Sequence, residues 1–316
     1  MFGRHSTSPE IPPGGAIGGV YAAAVTPHRR EGYEADYGAM LELVDHLAQA
    51  GVDGICLLGS TGEFLHIKAA ERIRLIHLAV KRSRVPILAG VSHSTLDGAI
   101  ELADEAVISG AQALLLMPPY FFRYAPQEIT EFYLRFADSV DDSIPLLLYN
   151  IPQFSNGIPL ECARELLASG AYAGIKDSSG DQQYFDALVA LKTDHDFVLM
   201  NGNDRLLAHS VAAGANGAVS GVACAVPELI VQLYRALAGN DTVQAEHWQR
   251  KLDEFLDWIE RFPAPIGIKT ATALRGRTCG PPSVPLSKEK CVLLDQFQSW
   301  FRGWLPSVTR TPVKTL

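Results

Sequence analysis

The stretch ASGAYAGIKDSS at residues 168–179 shows the pattern that decides the fold. A helical segment ends at small residues and a glycine, and an apolar run of strand length follows. Glycine supplies the left-handed residue that often terminates a helix, and a continuous apolar run is typical of a parallel strand covered on both faces. The pattern recurs as QAGVDGICLLG at 49–59, ISGAQALLLMPP at 108–119 and AAGANGAVSG at 212–221. This repetition predicts alternating helices and parallel strands.

Eight apolar runs are found when the remaining gaps are filled in the same way. They cover residues 17–27, 54–59, 86–91, 113–119, 145–152, 173–179, 197–202 and 217–222. Typical helix-start residues stand between them, with Ser94 and Thr95 before the third helix and Pro126 near the start of the fourth. Eight strand–helix units predict an α/β protein with a closed (β/α)8 TIM barrel.

A doubly wound sheet is the alternative, and it would place a glycine-rich dinucleotide-binding turn after its first strand. Here that strand ends in Val25-Thr26-Pro27, so the barrel is favoured. From about residue 227 the pattern becomes helical, over 227–238, 241–262, 264–276 and 287–303. The predicted organisation is a flexible arm at 1–15, the barrel at 16–238, a C-terminal helical extension at 239–306 and a tail at 307–316.

The composition favours a soluble globular protein that acts on a small molecule. Of the 316 residues 47% are apolar and 20% are charged, and the net charge of −8 disfavours nucleic acid or an anionic membrane surface as partner. No run approaches the length of a transmembrane helix, and the first 15 residues lack the apolar core of a signal peptide. Five dispersed cysteines suggest buried thiols, so we expect a cytoplasmic protein.

Barrel enzymes place their active sites at the C-terminal ends of the strands, where this chain has hydroxyls, one amine and few carboxylates. The residues there are Thr26, Gly59, Ser60, Thr61, Gly62, Glu63, Ser92, His93, Tyr120, Tyr149, Asn150, Lys176, Asp177, Gly202, Asn203, Asp204 and Ser220. A metal-dependent reaction is disfavoured, because His93 alone of nine histidines lies at a strand end and no metal-binding spacing occurs.

Lys176 is the unusual member, because it follows Ala173-Gly174-Ile175 inside an apolar strand. Burial disfavours the charged ammonium, and a neutral amine can attack a carbonyl to form an iminium that withdraws electrons from the adjacent carbon. The competing interpretation is a lysine paired with Asp177 or reaching to the rim. Lys269, which opens a helix of the extension, is interpreted as structural.

Two further segments could serve Lys176. Tyr149 ends the neighbouring strand and could act as general acid or base, although taken alone it is better explained as a core tyrosine with a satisfied hydroxyl. The turn Gly59-Ser60-Thr61-Gly62-Glu63 offers hydroxyls and backbone N–H groups to a carboxylate, or merely caps the next helix. Asn203 and Asp204 could equally be helix N-cap residues.

These motifs resemble the dihydrodipicolinate synthase/N-acetylneuraminate lyase family of pyruvate-dependent class I aldolases. The resemblance spans about 17–300 and rests on Gly59–Glu63, Tyr149-Asn-Ile-Pro152 and Gly174-Ile-Lys-Asp177 at the matching strands. It implies a lyase that needs no cofactor and assembles as a homotetramer built from two dimers. The implied roles are Lys176 as the Schiff-base lysine, Tyr149 as proton relay, Ser60 as the next relay hydroxyl, Thr61 and Gly59 at the pyruvate carboxylate, and Val219 through its carbonyl. Tyr120 and Asn203 are further candidates for substrate binding.

Two departures from the family pattern bear on the substrate. Phe121 stands where the family usually has a second tyrosine that reaches the neighbouring subunit, so Tyr120 or water would have to replace its hydroxyl. No arginine follows Tyr149-Asn-Ile-Pro152 in the segment 153–157, where dihydrodipicolinate synthases carry one. Ser60 and the run Lys176–Gly180 look more like sugar-acid aldolases.

The resulting expectation is retro-aldol cleavage of a 2-keto-3-deoxy sugar acid to pyruvate. The first alternative is 4-hydroxy-tetrahydrodipicolinate (dihydrodipicolinate) synthase activity, which condenses pyruvate with aspartate semialdehyde. A keto-deoxy-acid dehydratase, and a degenerate member that only binds a 2-oxo acid, are the remaining alternatives. The identity of the aldehyde half stays open, because loop residues such as Arg123, Phe154 and Asn156 would line its site.

Overall fold

The computed structural model describes residues 17–29 and 33–309 of the chain. Eight parallel strands form one closed barrel in chain order, as predicted. The strands are β1 (Gly19–Ala23), β2 (Gly54–Leu57), β3 (Ile87–Gly90), β4 (Ala113–Leu116), β5 (Leu146–Asn150), β6 (Gly174–Asp177), β7 (Val198–Asn201) and β8 (Gly217–Ser220). Each predicted strand is confirmed, but most are shorter than predicted because their C-terminal residues turn into the loops that carry the polar groups.

Helices cover the outside of the barrel and form the C-terminal extension. They are α1 (Tyr37–Gln49), α2 (Ala69–Arg82), α3 (Leu96–Ser109), α4 (Pro126–Ser139), α5 (Leu160–Ala168), α6 (Gln182–Leu191), α7 (Leu207–Ala213), α8 (Val222–Ala225), α9 (Pro227–Ala238), α10 (Thr242–Ile259), α11 (Ile266–Leu274), α12 (Lys288–Trp304) and α13 (Pro306–Thr309). The N-cap at Thr95 and the first-turn Pro126 are confirmed. The short helices α8 and α13 are additions to the prediction; α13 occupies the described part of the predicted tail, and the arm at 1–15 lies outside the described residues.

The strand register places the central residues of the site. Lys176 in β6 lies opposite Tyr149 of β5 and Met200 of β7. Gly174 allows the close approach of β6 to β7, because a Cβ there would lie 2.2 Å from the carbonyl oxygen of Val198. The barrel therefore presents Lys176 and Tyr149 side by side at the same end.

The extension packs through an aromatic core and is joined to the barrel by ion pairs. Phe255 of α10 stacks on Trp304 of α12, with ring centroids 5.5 Å apart. Arg205, after β7, binds Asp257 of α10 at 2.7 Å and Glu260, which directly follows α10, at 2.8 Å. The extension thus contacts the end of the barrel where the strands deliver their polar residues.

Across the described parts of the chain, no helix is long and apolar enough to cross a membrane. The five cysteines are free thiols, four of them buried and Cys291 exposed.

A further ion pair, between Arg275 at the end of α11 and Glu228 of α9, predicts a pH-dependent contribution to stability. Burial raises the pKa of Glu228, but the hydrogen bond and charge of Arg275 outweigh it and leave this pKa below its ordinary value. A lowered carboxyl pKa stabilises the fold above the pKa of the unfolded chain, and this stabilisation is lost as the pH falls through the lower folded pKa.

Arg275→Met should therefore lower the melting temperature most near neutral pH. The difference from the wild type should shrink as the pH is lowered from neutral through the folded pKa of Glu228, because the protonated carboxyl no longer attracts Arg275. Thermal melts of the two proteins across this range measure the effect. An equal difference at all pH values would contradict it.

Candidate active site

Lys176 lies inside the barrel mouth, with 3% of its surface exposed. Its Nζ is 4.1 Å from the centroid of the Tyr149 ring. Successive residues of a strand face opposite sides, and Asp177 accordingly accepts hydrogen bonds from Asn150 Nδ2 at 2.7 Å and Ser179 Oγ at 2.9 Å. The Asp177 carboxylate is thus bonded by Asn150 at the end of β5 and by Ser179 after β6, which removes the basis for interpreting Lys176 as its structural partner.

The hydroxyl of Tyr149 lies 2.9 Å from Ser60 Oγ, and either oxygen can donate. This contact joins residues 89 positions apart and links β5 to the turn after β2. The structure therefore brings together the three residues predicted to be catalytic. An amine above a phenol ring whose hydroxyl bonds a second hydroxyl can support imine formation and proton transfer.

The turn of residues 59–63 is held from the barrel side by Thr26. Thr26 Oγ1 donates to the carbonyl of Gly62 at 2.7 Å. Thr61 is half-buried, and a Cβ on Gly221 would lie 3.4 Å from its Oγ1. Gly59 is buried, and a Cβ on it would contact Cys56 Sγ at 3.9 Å. The Thr61 hydroxyl thus lies close to the end of β8.

Ser178 is a site residue that the sequence reasoning missed. It stands two positions after Lys176 and so shares its face of the strand. Ser178 is 8% exposed, and its Oγ has no hydrogen-bond partner among the described residues. A buried hydroxyl without a partner is costly, so this group is available to a ligand.

Gly202, just beyond β7, makes room for both side chains. A Cβ on Gly202 would lie 2.0 Å from Ser178 Oγ and 2.7 Å from Lys176 Cε. Both distances are far below van der Waals contact, so any larger residue must displace the lysine.

Gly202→Ala is therefore expected to lower the turnover rate by about 10²-fold, the order produced by a displacement of about 1 Å at a reacting group. Gly303→Ala is the matched control, because a Cβ there meets nothing within 4 Å. Steady-state rates and thermal melts of both variants test this. Wild-type turnover by Gly202→Ala would contradict it.

Asn203 and Asp204 separate into two roles. Asn203 Oδ1 accepts from the Arg205 N–H at 3.0 Å, which caps a short 3₁₀ turn before α7. Asp204 Oδ2 instead accepts from the Val222 N–H at 3.2 Å. Burial raises the pKa of Asp204, while hydrogen bonds from Ser220 and Val222 oppose the shift. The N-cap interpretation thus holds for Asn203 and is wrong for Asp204, whose carboxylate organises the loop after β8.

The remaining candidates border the mouth. Tyr120 is half-buried, its ring is edge-on to Phe64 at 6.0 Å, and burial raises its pKa. Phe121 follows with a left-handed φ of 79° and 89% exposure. Val219 is buried in β8 opposite Tyr21 of β1. His93 Nδ1 lies 3.0 Å from Thr95 Oγ1, and the described residues hold no cluster of three or more potential metal ligands.

Asn156 joins the two loops that border this side of the mouth. Its Nδ2 donates to the carbonyls of Pro119 at 2.5 Å and Phe122 at 2.8 Å, and its Oδ1 accepts from the Tyr124 N–H at 3.1 Å. Arg123 Nη1 adds a bond to the Ser155 carbonyl at 3.2 Å. These hydrogen bonds therefore join the loop after β4 to the loop after β5.

The sequence profile of the dihydrodipicolinate synthetase family matches residues 16–297. The chain belongs to this family, and with this fold it is a carbon–carbon lyase of the class I aldolase type.

Individual relatives agree with this assignment. The 4-hydroxy-tetrahydrodipicolinate synthase of Methanothrix thermoacetophila is 30% identical over 85% of this chain and 90% of its own length. That of Archaeoglobus fulgidus is 30% identical over 86% and 94%. A prophage protein of Escherichia coli K12 from this family, solved in complex with pyruvate, has 26% identity and a TM-score of 0.84, covering 92% of this chain and 99% of its own. The 2-keto 3-deoxygluconate aldolase of Picrophilus torridus has 28% identity and a TM-score of 0.80, covering 86% and 100%.

Proposed function

We propose that Lys176 forms a Schiff base with pyruvate and that the enzyme makes or breaks a carbon–carbon bond at the adjacent carbon. The observation that carries this proposal is the buried amine above the Tyr149 ring, whose hydroxyl lies 2.9 Å from Ser60 Oγ. The relative solved with pyruvate supports the choice of 2-oxo acid. Thr61 is the proposed partner of the pyruvate carboxylate.

In the proposed mechanism the neutral amine of Lys176 attacks the ketone carbon, and loss of water leaves an iminium. The released water takes up a proton from the adjacent methyl group, which gives an enamine as the iminium nitrogen accepts the electron pair. The enamine carbon then attacks an aldehyde, and the Tyr149 hydroxyl protonates the new alkoxide. The Ser60 hydroxyl, which is hydrogen-bonded to Tyr149, relays a proton back to the Tyr149 oxygen. Hydrolysis of the imine releases the product, and the same steps in reverse cleave it.

Aspartate semialdehyde is the first candidate for the aldehyde half. The curated relatives at 30% identity are 4-hydroxy-tetrahydrodipicolinate synthases, so they favour condensation over the sugar-acid cleavage that the sequence motifs suggested. An assay that follows pyruvate-dependent consumption of aspartate semialdehyde tests this candidate. If the enzyme does not consume aspartate semialdehyde but converts another aldehyde, that aldehyde becomes the proposed substrate.

A 2-keto-3-deoxy sugar acid is the second candidate, and the unpartnered Ser178 hydroxyl specifically favours it. A substrate hydroxyl near the reacting carbon could bond Ser178 and remove the cost of leaving it unsatisfied. The solved 2-keto 3-deoxygluconate aldolase shares the fold.

Ser178→Ala is expected to separate the two candidates. If the substrate carries a bonded hydroxyl, the variant should lose about 5-fold in kcat/KM, since one hydrogen bond is worth about 1 kcal/mol. With a substrate that lacks that hydroxyl, the rate should stay within a factor of about 2. Trapping of pyruvate on Lys176 should be unchanged in both cases and serves as the control.

We also propose a homotetramer built from two dimers in the cytoplasm, as the family resemblance implies. Sedimentation equilibrium would measure the oligomeric state.

If Phe121 makes this chain a binding protein without turnover, pyruvate should form an adduct while a panel of aldehydes and keto-deoxy acids remains unconverted.

A further inference from the structure

A buried ion pair joins the turn of residues 59–63 to the C-terminal extension. Lys269 Nζ of α11 lies 2.6 Å from Glu63 Oε2, and the two side chains are 5% and 7% exposed. Ser283, in the segment before α12, donates to the other carboxylate oxygen, Glu63 Oε1, at 2.5 Å. Both oxygens of Glu63 therefore bind groups of the extension.

Attachment of the extension alone does not explain this arrangement. Burying two charges costs desolvation energy that their attraction often only offsets, and an apolar pair would join the surfaces as well. A hydrogen-bonded pair differs from apolar packing in fixing atoms at defined positions. Glu63 also has a left-handed φ of 52°, a conformation that residues other than glycine rarely adopt. The contacts of its carboxylate thus hold the turn in an uncommon shape.

The same helix also approaches Thr61 through Gly221, the residue just after β8. A Cβ on Gly221 would lie 2.8 Å from Ile268 Cδ1 and 3.4 Å from Thr61 Oγ1, so both side chains border the same glycine. Ile268 directly precedes Lys269 in α11. The extension therefore contacts the turn directly at Glu63 and borders the glycine beside Thr61, while Thr26 supports the turn from the barrel.

We propose that Glu63, Lys269 and Ser283 are positioning residues that hold Thr61 and Ser60 in place for the pyruvate carboxylate. The C-terminal extension is then a structural component of the substrate site. This inference rests on the proposed function, because it assigns the carboxylate to the turn.

Lys269→Met and Ser283→Ala test the inference, with Arg275→Met as the matched control. Arg275 also joins the extension to the rest of the chain through a partly buried ion pair, but its partner Glu228 lies in α9 rather than in the turn. The first readout is the pyruvate concentration that gives half-maximal borohydride trapping on Lys176. The second is hydrogen exchange of the backbone amides of residues 59–66.

Lys269→Met should raise the half-saturating concentration at least about tenfold, and Ser283→Ala a few-fold, because a loosened turn positions the carboxylate poorly. Trapping at saturating pyruvate should remain complete. Exchange of the 59–66 amides should accelerate in both variants. Arg275→Met should lower the melting temperature without changing either readout.

Unchanged half-saturation in well-folded Lys269→Met, or equal changes in Arg275→Met, would overturn the inference while the proposed function stands. If Lys269→Met does not fold, Ser283→Ala and Lys269→Arg are measured in its place. Lys269→Arg keeps a positive charge beside Glu63, so it should change the two readouts less than complete loss of the ion pair does. If the wild type traps no pyruvate, the proposed function fails. Hydrogen exchange of the 59–66 amides then still tests whether the Glu63–Lys269 ion pair holds the turn. Equal exchange rates in the wild type and all variants would show that it does not.

Discussion

Replacing Lys176 with methionine is expected to lower the turnover rate by at least about 10⁴-fold, as loss of a covalent nucleophile does elsewhere. The thioether is similar in length but cannot form an imine. The side chain is 3% exposed, so the change exchanges a buried amine for an apolar group and should not destabilise the fold. Steady-state turnover and the intact mass after borohydride treatment with pyruvate measure the effect.

Lys192→Met is the matched control for this experiment. Its Nζ binds Asn216 Oδ1 at 2.7 Å, between the loop after α6 and the loop before β8. That position lies at the N-terminal ends of the strands, away from the barrel mouth. The control should retain the adduct and the rate, and an undiminished adduct in Lys176→Met would refute the Schiff-base assignment.

Replacing Tyr149 with phenylalanine is expected to lower kcat by about 10² to 10⁴-fold, the range of one general acid–base group. The variant keeps the ring under the Lys176 amine but removes the hydroxyl that contacts Ser60 at 2.9 Å. Pyruvate should still form a trapped adduct, because the amine remains. The loss should therefore appear in the carbon–carbon bond step and not in imine formation.

Tyr172→Phe controls for the loss of a buried tyrosine hydroxyl. The Tyr172 hydroxyl donates to the Tyr133 carbonyl at 2.8 Å, and the residue precedes β6 at the opposite end of the barrel from Lys176. The control should lose about 1 kcal/mol of stability and keep its kcat. Equal kcat in Tyr149→Phe and the wild type would exclude the relay role.

The barrel and its central lysine could be predicted because the relevant signals are local. Glycine after a helix and an apolar run of strand length recur along the chain, and the eight apolar runs predict that the sheet closes into a barrel. Lys176 is conspicuous because a charged residue interrupts such a run. The loop residues beyond each strand end were less predictable, since apolar runs continue into the loops.

The pairings that complete the site could not be predicted from local patterns. Glu63 and Lys269 are separated by 206 positions, and nothing near either residue indicates the other. The sequence alone favours a structural role for Lys269, whereas the structure shows that its ion-pair partner, Glu63, lies in the turn of the candidate site. Ser178 could have been found from its spacing of two from Lys176, but its lack of a partner depends on the surrounding fold.

The three hydrogen bonds of Asn156 have a consequence for how this enzyme could change its substrate. Since one amide holds the carbonyls of Pro119 and Phe122 and the N–H of Tyr124, the backbones of two entrance loops are fixed relative to each other. New specificities are therefore more accessible by exchanging exposed side chains such as Phe121 and Phe154 than by inserting residues. In directed evolution, libraries that keep Asn156 and vary those rings should yield more folded, altered enzymes than libraries that vary loop length.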